Sequence, residues 1–234
     1  ACGNKTETSE TDNLFKFKDY ISNHTYGNQS IGSPIRINLT KPLDQFEITQ
    51  EIPSEYIKIS PKTEGTLLVE NNSSLLFQPK ENLRPKTEYT VTVQLHKLYE
   101  DIDKEYKNYT FSFKTITPNF SINLENLQSY SKKWQYVNGT LEAADILKLE
   151  EAKKLISAQQ DNKDLTITWV GDTEQAKYFN FTIDSISRKV EDSEINIAWD
   201  GKPIGAESKG SNTFAIPGQN NFTVVDLDAS HAPQ

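Results

Sequence analysis

The chain has 234 residues, 35% of them hydrophobic and 10% aromatic, which is enough apolar side chain for one or two cores of ordinary domain size. A formal charge of -8 opposes contact with the phosphates of nucleic acid, which calls for clustered Lys and Arg, so no nucleic-acid partner is expected. No stretch reaches the roughly 18 apolar residues of a membrane-crossing helix.

The single cysteine, Cys2, excludes a disulfide within the chain. Ala1-Cys2-Gly3 ahead of a polar segment resembles what remains of a bacterial lipoprotein signal, where a small residue precedes the cysteine that is acylated. Cys2 is therefore the expected lipid-attachment residue, and the membrane, reached through that lipid, is an expected partner. Each buried CH₂ of an acyl chain contributes about 0.8 kcal/mol, so several chains on one cysteine give stable anchoring. The alternative for Cys2 is a free thiol without a role. Residues 1–18 then read as a Ser/Thr/Glu-rich tether, too polar to fold, with Leu14, Phe15 and Phe17 either docking on another surface or leading into the first domain.

From about Asp19 to Thr117 short strands are predicted one after another. Ile35, Ile37 and Leu39 alternate with Arg36, Asn38 and Thr40, and the segments 56–60, 66–70 and 74–78 follow. Tyr89, Val91, Val93 and Leu95 then share one side of an extended chain, with His96 on the opposite, polar side. Tyr109, Phe111 and Phe113 repeat the pattern, after a charged hairpin tip near Asp101. Leu83-Arg84-Pro85-Lys86-Thr87 just before Tyr89 marks a tyrosine corner, in which a hydroxyl near the start of a strand bonds to backbone a few residues upstream. Tyr89 is thus a structural residue, and residues 19–117 read as an Ig-like β-sandwich.

Pro118 ends the last of these strands and opens a second β-rich region, residues 118–228. Leu165, Ile167 and Trp169 share a face, as do Phe179, Phe181 and Ile183, and Ile195, Ile197 and Trp199. Trp169 and Trp199 are therefore expected as structural, core-facing residues. Asp200-Gly201 signals a tight hairpin. Ile146, Leu149, Ala152, Leu155 and Ile156 recur at helical spacing, so one helix is predicted over about 143–159, capped near Asp145. Residues 229–234 read as a linker. The predicted fold class is mostly β: two consecutive antiparallel β-sandwich (Ig-like) domains, the second carrying one α-helix.

Catalytic chemistry is not legible. His24, His96 and His231 form no H-x-x-H pair, so no metal site is expected, and no cofactor motif or catalytic residue emerges. Asp101, Asp103 and Glu105 have calcium-loop spacing, but Tyr106 stands where the loop needs glycine, which favours a solvated hairpin. Asn38-Leu39-Thr40, Asn138-Gly139-Thr140 and Asn180-Phe181-Thr182 match the glycosylation triplet; inside predicted strands, and with the lipoprotein-like start pointing to a bacterial chain, they carry a compositional reading. Trp134 has no aliphatic register partner and is the candidate for a surface contact.

Three stretches resemble the bacterial alpha-2-macroglobulin-like lipoproteins of the Bacteroidetes type. They are Ser33 to Leu43; Leu83 to Tyr89 with Phe111 to Thr115; and Tyr136 to Leu141 through Ile197 to Gly205. The resemblance implies an N-terminal Ig-like domain followed by a macroglobulin-like domain, in a membrane-anchored protease inhibitor whose bait and thioester regions lie outside this fragment. It implies a bacterial cell-envelope, outer-membrane location and target proteases as partners of the rest of the protein. It also implies that this chain is not an enzyme, and a monomer is expected. Cys2-Gly3-Asn4-Lys5 shares only two residues with the family's Cys-Gly-Glu-Gln thioester, so only the anchor cysteine carries over. The alternative function is a surface lipoprotein binding module, for a glycan or a host protein.

Overall fold

The computed structural model describes residues 13–171 and 174–220. Cys2, His231 and the segment expected as a linker lie outside the described residues. The chain divides between Thr117 and Pro118 into two compact units.

The described residues of the first unit form nine strands: β1 (Ile21–His24), β2 (Asn28–Gln29), β3 (Ile35–Leu39), β4 (Glu51–Ile52), β5 (Ile57–Ser60), β6 (Gly65–Asn71), β7 (Ser74–Pro79), β8 (Glu88–Gln94) and β9 (Asn108–Thr115). They form two sheets, ordered β1-β3-β7-β6-β4 and β2-β9-β8-β5. Pairing is antiparallel except where β2 runs parallel to β9. Period-2 alternation decides which side chains meet. Ile35, Ile37, Leu67, Val69, Leu75 and Phe77 of one sheet, and Val91, Val93, Tyr109 and Phe111 of the other, are all buried in one core. Each such aliphatic or aromatic side chain contributes about 1.5–3 kcal/mol on leaving water.

The second unit is built on β10 (Phe120–Leu124), β11 (Gln128–Ser129), β12 (Trp134–Lys148), β13 (Ile156–Gln160), β14 (Lys163–Asp164), β15 (Ile167–Trp169), β16 (Gln175–Ser187), β17 (Ser193–Asp200) and β18 (Lys209–Ile216). One sheet has the order β10-β12-β16-β15, with β11 also on β12; the other is β14-β13-β17-β18. Val137, Leu141, Phe179, Phe181 and Ile183 from the first meet Ile156, Ala158, Ile195 and Ile197 from the second in one core. The long strands β12 and β16 pair from Trp134↔Ser187 to Lys148↔Gln175 with two register shifts. Gln160 of β13 ties the two sheets together: its Nε2 donates to the Ser187 carbonyl at 2.8 Å and its Oε1 accepts the Ser187 N–H at 2.9 Å. The fold is mostly β, two antiparallel β-sandwich units in tandem.

Several local expectations are corrected. The helix expected over 143–159 is one turn, Leu149–Ala152. Residues to Lys148 continue β12, because Ala143 pairs with Phe120 and Leu147 with Ala176, and Ile156 already pairs with Trp199. Asp145 caps no helix; it is buried, and its Oδ1 accepts the N–H of Ile146 at 2.8 Å. The turn is opened instead by Glu151, whose Oε2 accepts the Lys148 N–H at 2.9 Å. After β8 the chain leaves the strand, and Leu95–Leu98 form a helical turn that carries His96. Gly201 has φ -78°, not the positive φ of a tight hairpin turn, so β17 and β18 are joined by a longer loop containing the turn Lys202–Ile204 and left-handed Gly205. Residue 17, expected within the tether, belongs to the first core instead: Phe17 is buried against Tyr106 and Tyr109, with ring centroids 5.3 and 5.1 Å away.

Candidate functional site

The corner before β8 is a network on Arg84. Tyr89 is buried, and its Oη accepts the Arg84 N–H at 2.9 Å. Thr115 Oγ1, at the end of β9, donates to the Arg84 carbonyl at 2.6 Å and accepts the Thr87 N–H at 2.9 Å. Beside it lies an open cavity of about 230 Å³ whose lining mixes Lys62, Lys80 and Arg84 with Glu64 and Glu81. The corner's hydrogen bonds position backbone.

Trp169 and Trp199 are half-buried and pack on the second core. Trp169 sits 5.1 Å from Phe181 and 6.4 Å from Phe179 by ring centroids. Trp199 lies over Gly210, its partner across β17 and β18. His24 is buried in the first unit, stacked on Phe111 at 4.2 Å, and His96 lies beside the Lys107 carbonyl. Among the described residues no group of three or more His, Cys, Asp or Glu is placed to hold a metal ion. Glu105 of the calcium-spaced segment instead pairs with Lys16 at 3.1 Å.

The surface with the most chemistry is the outer face of the β10-β12-β16-β15 sheet. Alternation that sends Gln135, Val137, Gly139 and Leu141 inward sends Trp134, Tyr136, Asn138, Thr140 and Glu142 outward. On β16 the inward Phe179, Phe181 and Ile183 leave Tyr178, Asn180, Thr182 and Asp184 outside. Register places Asn138 opposite Thr182, Thr140 opposite Asn180 and Glu142 opposite Tyr178. Those pairs are bonded: Thr182 Oγ1 donates to Asn138 Oδ1 (2.9 Å), Thr140 Oγ1 to Asn180 Oδ1 (3.0 Å), and Tyr178 Oη to Glu142 Oε1 (3.1 Å).

Aromatic rings stand at both ends of this polar ladder. At one end Tyr130 lies 5.8 Å from Tyr136, and its Oη donates to Asp184 Oδ1 at 3.0 Å; Trp134 beside them is 42% exposed. At the other end stands Tyr178, 63% exposed. The Glu142 hydrogen bond raises the Tyr178 phenol pKa, and for Tyr130 desolvation followed by the Asp184 bond does the same, so both remain hydroxyl donors. Two of the Asn-x-Thr triplets, 138–140 and 180–182, thus supply the centre of the face. Their middle residues explain the motif: Phe181 packs inward across Gly139, where a Cβ would come within 2.4 Å of its Cζ. The signal in the sequence was the pair of triplets on two strands in matching alternation.

Against known proteins, the bacterial Ig-like domain family matches residues 18–115, less than half of the chain. No curated protein matches. Among solved structures the I9–I11 tandem of titin aligns at 11% identity and TM-score 0.35, covering 85% of this chain and 65% of that one. Bovine butyrophilin aligns at 7% identity and TM-score 0.33, with 84% and 96% covered. An L,D-transpeptidase from Mycobacterium tuberculosis aligns at 10% identity and TM-score 0.31, with 74% and 76% covered. The chain spans just under two thirds of the titin tandem, and at these TM-scores none of the three carries an argument about function. A bacterial Ig-like domain is thus detected over residues 18–115, inside the first of two β-sandwich units.

Proposed function

We propose that the chain is a non-enzymatic scaffold of the bacterial cell envelope, held to the outer membrane by a lipid on Cys2. In this reading it is the N-terminal part of an alpha-2-macroglobulin-like protease inhibitor, whose bait and thioester regions lie outside it. Its partners are the membrane, through the lipid, and target proteases, through the rest of the protein.

The observation that supports it best is where the charge sits. The two cores are lined by apolar side chains, with Asp145 and His24 also buried among the described residues, and several charged groups pair near the surface: Arg36–Glu70 at 2.7 Å, Lys189–Asp161 at 2.6 Å and Lys209–Asp200 at 3.0 Å. A candidate catalytic site brings strongly perturbed ionisable groups together in a cleft; these pairs stand at the surface. The test is fractionation of the protein in its own bacterium. Cys2→Ser moves it from the membrane to the soluble fraction; retention on the membrane overturns the anchor.

A second reading, a surface binding module, is favoured by the aromatic-flanked outer face on the second unit. It is compatible with the first, since a presenting arm has its own free surface.

A further inference from the structure

We propose that the outer face of β12 and β16 is a binding site for a neutral glycan chain, a deepening of the binding-module reading on which it rests. Four features of the face point the same way.

The first is length. Tyr136 and Glu142 are six residues apart on one strand, so about 20 Å separates the Tyr130–Tyr136 ring pair, with Trp134 two residues further along the strand, from Tyr178, which stands opposite Glu142. That is room for several sugar units along the strands. The second is the pairing of rings with a polar centre. The face of an aromatic ring is negative, and the C–H hydrogens on the flat side of a pyranose are weakly positive, so the two stack. Between the rings stand Asn138, Thr140, Asn180 and Thr182, which offer amide and hydroxyl groups to sugar hydroxyls.

Pre-organisation is the third. The ladder is already fixed by Thr182–Asn138 and Thr140–Asn180 hydrogen bonds, the Tyr130 hydroxyl by Asp184 and the Tyr178 hydroxyl by Glu142. Little rotamer freedom remains to be lost on binding. The fourth is charge. The carboxylates on or beside the face are Glu125, Glu142 and Asp184, with Glu125 Oε2 accepting from Asn138 Nδ2 at 3.3 Å. These carboxylates disfavour sulfated, sialylated or phosphorylated chains along the polar ladder, while the exposed Lys132 and Lys133 adjoin only the Trp134 end.

A protein partner fits less well. Protein interfaces place aromatic anchors at a desolvated centre inside a polar rim; here the centre is polar and the rings are at the ends.

The experiment measures binding of the chain to cellohexaose and chitohexaose by calorimetry and by the fluorescence of half-exposed Trp134. Heparin serves as the polyanion, and a protein microarray as the arm for macromolecular partners. Binding to one or both neutral oligosaccharides is expected, and none to heparin. Trp134→Ala and Tyr178→Ala should each weaken it about tenfold, with circular dichroism unchanged. Both lie at exposed positions, so either variant alone is enough if the other fails to fold. Neutral-glycan binding that survives both substitutions overturns the proposal, as does binding to heparin alone. Protein binding that depends on Trp134, without glycan binding, overturns the glycan assignment and keeps the binding module. No binding in any arm overturns both.

Discussion

Tyr89→Phe removes one oxygen from the corner before β8 and leaves the packing in place. The ring is 2% exposed and stacks on Phe113 at 5.4 Å with its plane tilted by 12°, contacts that phenylalanine keeps. What is lost is the acceptor for the Arg84 N–H. A neutral hydrogen bond of this kind contributes about 1 kcal/mol, and leaving the donor without a partner raises the cost toward about 2 kcal/mol. Thr115 holds the other side of Arg84, through its carbonyl, and Thr115→Val should cost about 2 kcal/mol because Thr115 also accepts from Thr87. The two residues clamp one peptide segment, so the double variant should depart from additivity by about 0.5–1 kcal/mol. The three tryptophans, Trp134, Trp169 and Trp199, all lie in the second unit. Tryptophan fluorescence therefore follows that unit alone, and hydrogen exchange at the β8 and β9 amides follows the first. For Tyr89→Phe the urea midpoint of the first unit should fall by about 0.5–1 M, from a slope of about 2 kcal/mol per molar, while the fluorescence transition stays put. An unmoved first-unit midpoint would refute the corner; a fluorescence transition that moved in step would refute the separateness of the units.

Other perturbations have equally definite outcomes. Gly139→Ala forces a Cβ into the ring of Phe181, which is 1% exposed, so a loss of about 1–3 kcal/mol is expected in the fluorescence-monitored melt, and a neutral result would contradict the ring's placement. Trp199→Ala should cost about 2 kcal/mol by circular dichroism, less than a fully buried aromatic, because the ring is half-buried over Gly210. The Arg36 guanidinium bonds Glu70 in two places, at 2.7 Å each, and holds its carboxyl below the usual carboxylate range, helped by Ser74 and opposed by desolvation. A depressed folded pKa stabilises above the unfolded value, near 4.5, and that stabilisation fades as pH falls through the folded value. The pair is partly exposed, so the effect is about 0.5 kcal/mol. Glu70→Gln should remove this part of the acid sensitivity, and an unaltered acid limb would show that the pair contributes nothing.

The β8 and β9 strands were legible because alternation there is long and unbroken: Tyr89 to Val93 on one strand and Tyr109 to Phe113 on the other put every apolar side chain inward. The segment 143–159 was misread for a physical reason. A strand end, one helical turn and a strand start bury Ala143, Ala152, Leu155 and Ile156, and that sequence of short pieces has the same spacing as a helix. Pairing with Phe120, Ala176 and Trp199 decides between them, and those partners are remote in sequence. Asp200-Gly201 misled likewise. The Asp200 carboxylate accepts the Lys202 N–H at 2.9 Å and pairs with Lys209, opening a longer loop instead of a two-residue turn. The outer face of the second unit was half visible. Trp134 stood out, but Asn138, Thr140, Asn180 and Thr182 read as compositional until register placed the two triplets side by side.

The scaffold reading is tested most directly by incubating this chain with serine, cysteine and metalloproteases, and following both substrate turnover and any chain–protease complex. The account predicts unchanged protease rates and no complex, because the proposed scaffold role gives this chain no inhibitory part of its own. Stoichiometric inhibition, or a stable complex formed by this chain alone, would contradict it.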